Sequence, residues 1–396
     1  MSVCKITDGV YSIGVLNPSL RVFDIIMETK YGTTYNAYFV QGGEKSVLVE
    51  TVHAKYFDEY IENIAALTDV SKIDYLILNH TEPDHTGSVE RLLALNPNIE
   101  VIATAAGMKY VSAIANREIK AKIVKQGDKL DLGGKTLEFI PSPFLHWPDS
   151  MFTYLPEDKV LFSCDMFGCH YCEPRMFDSL VADKEAYDDA FLYYYTAIFS
   201  PFKPHVLAGI DKIEGLEKDF ICTSHGPVLT KATMDDVIGK YKAWSTLAKK
   251  EKKSVAILYV SAYGYTRELA HKAYDIASEL GFDVQIRDII KQDAAESVAL
   301  ANESDILLFG SPTINRDALK PVWDTISSID AVNCMKKNAL VFGSYGWSGE
   351  AVGALKTRLE GLKFNVYGDG FRVNFKPSDK DMQDFEAYVR EFFAQV

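Results

Sequence analysis

The chain has 396 residues, more than one hydrophobic core usually serves, so two domains are expected. Apolar residues make up 47% and charged residues 24%, the balance of a folded, water-soluble protein rather than a disordered or membrane-embedded one. A formal charge of −13 sets the surface against nucleic acid and anionic lipid, and only "KKEKK" (249–253) forms a local basic run.

The opening "MSVCKITDGVYSIG" lacks the apolar centre of a signal peptide, and the apolar runs are strand-sized, too short to span a bilayer. The six cysteines are sparse and unevenly spaced, which reads as reduced thiols of a cytoplasmic protein. "CHYC" (169–172) has no second pair, so it does not read as a structural zinc site.

In chain order, "TTYNAYFVQGGEKSVLVETV" (33–52) predicts a hairpin turned at Gly42-Gly43. "DYLILN" (74–79) has the length of a buried strand, and "GSVERLLALN" (87–96) spaces Val89, Leu92 and Leu93 as a helix does. Further strands are predicted at "IEVIAT" (99–104), "TLEFIPSP" (136–143), "FTYLPEDKVLFSCD" (152–165) and "HVLAG" (205–209). The lysine-rich stretch 241–254 then sets a boundary near residue 250, giving domains 1–250 and 251–396. Beyond it strands and helices alternate: strand 255–260, helix 266–280, strands at 282–287, 305–310 and 338–343, helices at 349–361 and 378–394. That alternation predicts a doubly wound α/β domain with a parallel sheet. Its first helix is expected to bury Leu269, Ala270, Ala273, Tyr274, Ala277 and Leu280.

Three loops of this domain follow predicted strands at one sheet edge. Ser261, Ala262, Tyr263, Gly264, Tyr265 and Thr266 lie between a strand and a helix N-terminus, where amides and the helix dipole favour a phosphate. There is no lysine of the GK[ST] kind, so a triphosphatase loop is a poor match. Ser311, Pro312, Thr313, Ile314 and Asn315 form the second loop. Ser344, Tyr345, Gly346, Trp347, Ser348 and Gly349 form the third, with two aromatic faces for a flat ring. This part of the chain resembles flavodoxin. The resemblance implies FMN, its phosphate at Ser261–Thr266 and its ring between the other two loops.

The earlier part gathers potential metal ligands in polar loops after strand-like runs. "HTEPDH" (80–85) brings His80, Glu82, Asp84 and His85. His146 follows "PSPFL", Asp165 ends "VLFSCD", and His225 lies in "CTSHGP". His53 and His205 read as strand-end or surface residues and His271 lies on the first helix of the later domain, while His170 follows Asp165 closely enough to touch a ligand. The ordered set resembles the metallo-β-lactamase fold, an αββα sandwich with a dinuclear site at one edge, over roughly residues 5–245. Glu82 stands where hydrolases of that fold often carry histidine. A hard carboxylate in an imidazole set suits iron better than zinc. The natural division is His80, Glu82 and His146 on one metal, Asp84, His85 and His225 on the other, with Asp165 bridging.

Both resemblances together match the flavodiiron proteins (A-type flavoproteins) over essentially the whole chain. That family implies two iron ions and FMN, and reduction of dioxygen to water or of nitric oxide to nitrous oxide. It also implies rubredoxin, a flavin reductase or a deazaflavin as electron donor, and a head-to-tail homodimer or dimer of dimers. In such proteins the residue at His85 is not always bound to iron. Tyr195, within "FLYYYTAIF", and His170 are candidates to give protons or hydrogen bonds to the reaction, while for Tyr195 packing beside Tyr193 and Tyr194 is the alternative. The competing reading of the whole chain is a dinuclear zinc hydrolase fused to a flavodoxin module.

Overall fold

Strands "YFVQ" and "SVLV" form the expected hairpin, Tyr38–Gln41 against Ser46–Val49, with Tyr38 opposite Val49. Its turn passes so close to the neighbouring sheet that a Cβ on Gly42 would lie 2.3 Å from the Leu132 carbonyl oxygen, so only glycine fits. The structure, a computed structural model, describes residues 3–247 and 250–396. Lys249, the first lysine of the basic run, therefore lies outside the described residues. The chain divides into two compact units, Met1–Leu247 and Ala248–Val396.

In the first unit a seven-stranded sheet runs in the order Cys4–Thr7, Val10–Ser12, Tyr38–Gln41, Ser46–Val49, Tyr75–Ile77, Glu100–Ala103, Lys120–Ile123. A six-stranded sheet faces it, built from Lys129–Asp131, Thr136–Pro141, Met151–Leu155, Val160–Cys164, Phe220–Thr223 and Leu229–Thr230. Tyr38, Val40, Val49 and Ile77 meet Leu137, Phe139, Met151 and Phe162 between them. Burying an apolar side chain of this size contributes about 1.5–3 kcal/mol, so the two inner faces are the main glue of the sandwich.

Helices Phe57–Ala65, Val89–Leu95 and Ala105–Ala115 cover the outer face of the first sheet through Leu48, Leu76 and Val101. Helices Lys184–Tyr194, Lys203–Ile213 and Met234–Ser245 cover the second through Phe152, Leu161 and Ile221. The result is an αββα sandwich. One expectation fails here: "HVLAG" is no strand but the middle of helix Lys203–Ile213. Pro204 starts that helix, and Val206, Ile210 and Ile213 bury one stripe, a helical period that the short apolar run conceals.

The second unit is a parallel sheet in the order Asp283–Asp288, Ser254–Tyr259, Ile306–Gly310, Asn338–Tyr345, Asn365–Val366, with Phe371–Asn374 paired to the far end of Asn338–Tyr345. Helices Ala294–Glu303, Lys320–Ser328 and Glu350–Gly361 pack on one face, and Tyr265–Glu279 and Asp379–Ala394 on the other. This is the flavodoxin-like doubly wound order, whose switch point lies between Ser254–Tyr259 and Ile306–Gly310. The first helix buries Leu269, Ala270, Ala273 and Ala277 as expected, but Ile276 replaces Leu280, which is exposed beyond the helix end, and Tyr274 is half-buried.

Candidate metal centre

The "HTEPDH" segment leaves strand Tyr75–Ile77 and enters a single helical turn, Pro83–Thr86, begun by proline at its first position. Glu82 precedes that turn in extended conformation, whereas Asp84 and His85 lie within it, so the three side chains point to two different places. Gly87 closes the turn where a Cβ would meet the Ala54 nitrogen and the Pro83 carbonyl, both at 2.6 Å. Asp165 is aimed by another device. Pairing slips between Phe162 and Cys164 against the neighbouring strand, and Cys164 adopts a left-handed φ of 55°. Bulges of this kind re-aim side chains beside active sites.

Seven side chains converge. His80, Glu82, His146 and Asp165 offer ligand atoms within one small volume, and Asp84, His85 and His225 within a second. Glu82 Oε2 lies 3.1 Å from His80 Nε2 and 3.2 Å from His146 Nε2. His225 Nε2 lies 3.0 Å from Asp84 Oδ2. Asp165 faces both groups, Oδ2 to His146 at 3.3 Å and Oδ1 to His85 at 3.2 Å. Yet both oxygens of Asp84, both of Asp165 and His85 Nε2 are buried without a hydrogen bond. These atoms aim at common points rather than at one another, and that is how metal ligands are arranged.

Outer contacts set the imidazoles. His225 Nδ1 donates to the Thr34 carbonyl at 2.6 Å, leaving Nε2 to the cluster. His80 Nδ1 faces Asp149 Oδ1 at 3.5 Å, and Asp149 accepts from Thr81 Oγ1 at 2.6 Å. Such partners fix tautomer and ring orientation in metal sites. Burial opposes charge on His80, but Asp149 and Glu82 outweigh it and push the imidazole up to about 9. Burial likewise opposes charge on Glu82 and Asp165, yet the imidazoles hold Glu82 (through His146 and His80) and Asp165 (through His85 and His146) below the usual carboxylate range. Three carboxylates offset most of the charge of two divalent ions, so the donor set fits a dinuclear centre.

Not every candidate joins the cluster. Tyr195 does not: it packs on Tyr241 and Trp244, and its hydroxyl pairs with Ser245 Oγ at 2.9 Å. Its neighbour Tyr194, turned by one helical residue, points inward instead and donates to the Asp165 carbonyl at 3.3 Å. His170 is buried behind the ligands, its ring 5.0 Å from that of His225 and its Nδ1 2.8 Å from Thr33 Oγ1. Burial and the neighbouring His225 hold it well below the ordinary histidine range. Outside the cluster, His53 caps a short turn, His205 packs on Phe144, and His271 packs edge-on to Tyr259. The sequence reading missed Thr34, Glu50, Asp149 and Tyr194. It also missed Asp24, which burial and neighbouring Glu82 push up to about 6. Only Asp149, in "HWPDS" just after His146, left a local signal.

In the second unit a cleft of about 300 Å³ opens at the carboxyl ends of the parallel strands, beside the switch point. Tyr263, Tyr265, Pro312, Thr313, Ile314, Asn315, Ser344, Tyr345, Gly346, Trp347 and Ser348 line it, together with Arg316, Glu350 and Phe375, which were not expected. Ser261, Ala262, Gly264, Thr266, Ser311 and Gly349 are not on its wall. Several of these shape the loops: Ser261 Oγ accepts from the amides of Gly264 and Arg267, Thr266 Oγ1 pairs with Ser344 Oγ, and Ser311 Oγ accepts from the Leu319 amide. Trp347 is 84% exposed and Tyr263 82% exposed, so neither is a core residue and both rings are free to cover a flat ligand.

Comparison with known proteins joins the two sites. The profile of the ODP family beta lactamase matches residues 33–226, and that of flavodoxin matches residues 257–388. A curated relative from Clostridium acetobutylicum, flavo-diiron protein FprA2, is 49% identical over 401 residues, covering 100% of each chain. The chain belongs to the flavo-diiron proteins. Its fold neighbours agree: the rubredoxin oxygen:oxidoreductase from Desulfovibrio gigas superposes with a TM-score of 0.67 at 28% identity, covering 99% of each chain. The anaerobic nitric oxide reductase flavorubredoxin of Aeromonas hydrophila is 33% identical over 93% of this chain and 74% of its own. As a flavo-diiron protein the chain is an oxidoreductase that carries FMN and a diiron centre.

Proposed function

We propose that this flavo-diiron protein reduces a small diatomic gas, dioxygen to water or nitric oxide to nitrous oxide, with electrons delivered through FMN. The observation that carries the reading is the split of Asp165, one oxygen to each ligand group, beside a carboxylate–imidazole set that includes Glu82. When bound, the irons supply a redox pair with open positions for the gas, and FMN supplies electrons. The chain's own residues do the rest. His80, Glu82 and His146 would hold one metal and Asp84, His85 and His225 the other, with Asp165 facing both groups. Thr34 and Asp149 hold His225 and His80 in the tautomer that leaves Nε2 to the metal. Tyr194 and His170 brace Asp165 and His225 from behind. Asp24, exposed on the hairpin, sits close enough to Glu82 to interact with it. Trp347 and Tyr263 would cover the flavin ring, and the start of helix Tyr265–Glu279 would hold its phosphate.

The electron donor in this reading is a rubredoxin-type protein or a flavin reductase; the name of the Desulfovibrio relative supports the first. Two copies assemble head-to-tail. Support comes from exposed apolar side chains beside both sites: Ile25 and Ile26 on the hairpin next to the metal cluster, Trp347 and Tyr263 on the rim of the cleft. Among the described residues no helix is long and apolar enough to cross a membrane. The unpaired thiols fit the reducing cytoplasm, where we place the protein. The deciding experiment reduces the iron- and FMN-loaded protein anaerobically and follows oxygen and nitric oxide at electrodes side by side. Consumption of either gas is expected, and consumption of neither would refute the proposal.

A further inference from the structure

Glu50 directly follows strand Ser46–Val49 and is 1% exposed, a carboxyl group in a place where apolar residues belong. Its backbone adopts a left-handed φ of 64°, a conformation that side-chain-bearing residues keep only when their surroundings enforce it. Three hydrogen bonds do so here. The Glu50 amide donates to the Ile77 carbonyl at 2.9 Å, its carbonyl accepts from the Tyr60 hydroxyl at 3.2 Å, and Oε1 accepts from the Asn79 amide at 2.9 Å. The second oxygen, Oε2, has no hydrogen bond. It faces His85 Nδ1 at 3.9 Å.

The other side of that imidazole points to the metal cluster. His85 Nε2 lies 3.2 Å from Asp165 Oδ1 and 3.4 Å from Asp84 Oδ1, again without a hydrogen bond. The backbone of the same residue is held by Glu50's neighbour, because the Thr51 amide donates to the His85 carbonyl at 3.0 Å. The segment after one strand thus holds the His85 main chain and faces its imidazole with a buried carboxyl oxygen. We infer that Glu50 is the positioning residue for His85: its buried side chain accepts a hydrogen bond from Nδ1–H when metal is bound, which would leave the Nε2 lone pair facing the metal held with Asp84 and His225. The inference rests on the ligand assignment above and adds to it a reason why His85 binds metal in this chain.

The test is Glu50→Gln, which keeps the acceptor for the Asn79 amide but offers His85 an amide N–H and so favours the opposite tautomer. It is compared with the unaltered protein and repeated in a His85→Asn background, using iron titration and Mössbauer spectra of the FMN-loaded protein. Iron affinity at one of the two positions is expected to fall roughly 10- to 100-fold, with one of two iron signals altered and the other kept. With His85 replaced, Glu50→Gln is expected to cost nothing more, since the two residues act as one unit. Unchanged affinity and spectra, or the same loss whether or not His85 is present, would overturn the inference while leaving the diiron reading intact. An unaltered protein that takes up no iron would overturn both. If the variant does not fold, a crystal structure of the iron-loaded protein decides. Nδ1 at hydrogen-bond distance from Glu50 with Nε2 on iron supports the inference; His85 turned away from iron refutes it.

Discussion

Thr34 and His225 stand 191 positions apart, and the carbonyl of the first accepts the Nδ1 proton of the second at 2.6 Å. A carbonyl can only accept, so this contact alone sets the His225 tautomer. The segment that supplies it is itself clamped to the His225 loop. The Asn36 side chain donates to the carbonyls of Thr223 and Gly226, both at 2.8 Å, and the Asn36 amide donates to the Ser224 carbonyl at 2.9 Å.

Asn36→Ala is therefore expected to remove one donor from each of two buried carbonyls, which keep the Tyr38 hydroxyl on Thr223 and the Thr34 hydroxyl on Gly226, and to destabilise the first unit by about 1–3 kcal/mol. The same change loosens the Thr34–His225 contact, so iron retention during dialysis is expected to fall as well. Chemical denaturation and iron analysis check the two effects. Full stability with full iron content would show that the clamp is ornamental.

What could be seen in advance depended on how local each signal was. The "HTEPDH" ligands sit within six residues and share one turn, so their chemistry is visible in the string itself. The alternation of buried strands and amphipathic helices marks the second unit in the same way. Contacts across the chain left no such trace. Glu50 looks like the polar end of any strand, and only the fold brings it to His85, 35 positions on. Tyr194 and Tyr195 differ by one residue of helical phase, which a run of three tyrosines cannot reveal. "HVLAG" has the length of a strand, and its helical period appears only when Ile210 and Ile213 are counted with it.

Glu82→His would restore the ligand type of a hydrolase motif. Glu82 is extended, just before Pro83, and makes no capping hydrogen bond, so histidine fits the backbone without strain. Exchanging a hard anionic oxygen for an imidazole is expected to shift the metal content from iron towards zinc. Gas consumption is expected to drop by at least roughly 100-fold, since altering even an outer contact of a ligand costs 10–100-fold. Elemental analysis of protein loaded from an equimolar iron and zinc mixture is the direct check. An unchanged iron share would mean that Glu82 does not choose the metal.

Trp347 projects into solvent at the rim of the cleft, so its removal leaves the core intact. Trp347→Ala is expected to weaken FMN binding roughly two- to tenfold, the worth of one aromatic stacking contact. Thermal unfolding of the flavin-free protein is expected to stay unchanged. Fluorescence titration with FMN reads the first quantity. A loss of flavin-free stability would instead make Trp347 a packing residue.

Removing metal should make the protein sensitive to alkali. Without iron, the carboxylates of the cluster raise His80 from an unfolded value of 6.5 to about 9, and His85 and His146 are raised too. A raised histidine stabilises the fold fully below its unfolded pKa and ceases to do so as pH climbs through the folded value. The melting temperature of metal-free protein is therefore expected to fall between about pH 6.5 and pH 9. At the acid end the sign reverses. Glu82 and Asp165 are held below the usual range, so their contribution is present at neutral pH and lost as pH drops through their folded values. Iron displaces the imidazole protons, so its affinity is expected to rise across the alkaline window, and the loaded protein should lack the alkaline fall. Melting curves of both forms at a series of pH values test this. A metal-free protein whose stability rises towards pH 9 would show that the histidines do not hold their protons on the cluster carboxylates.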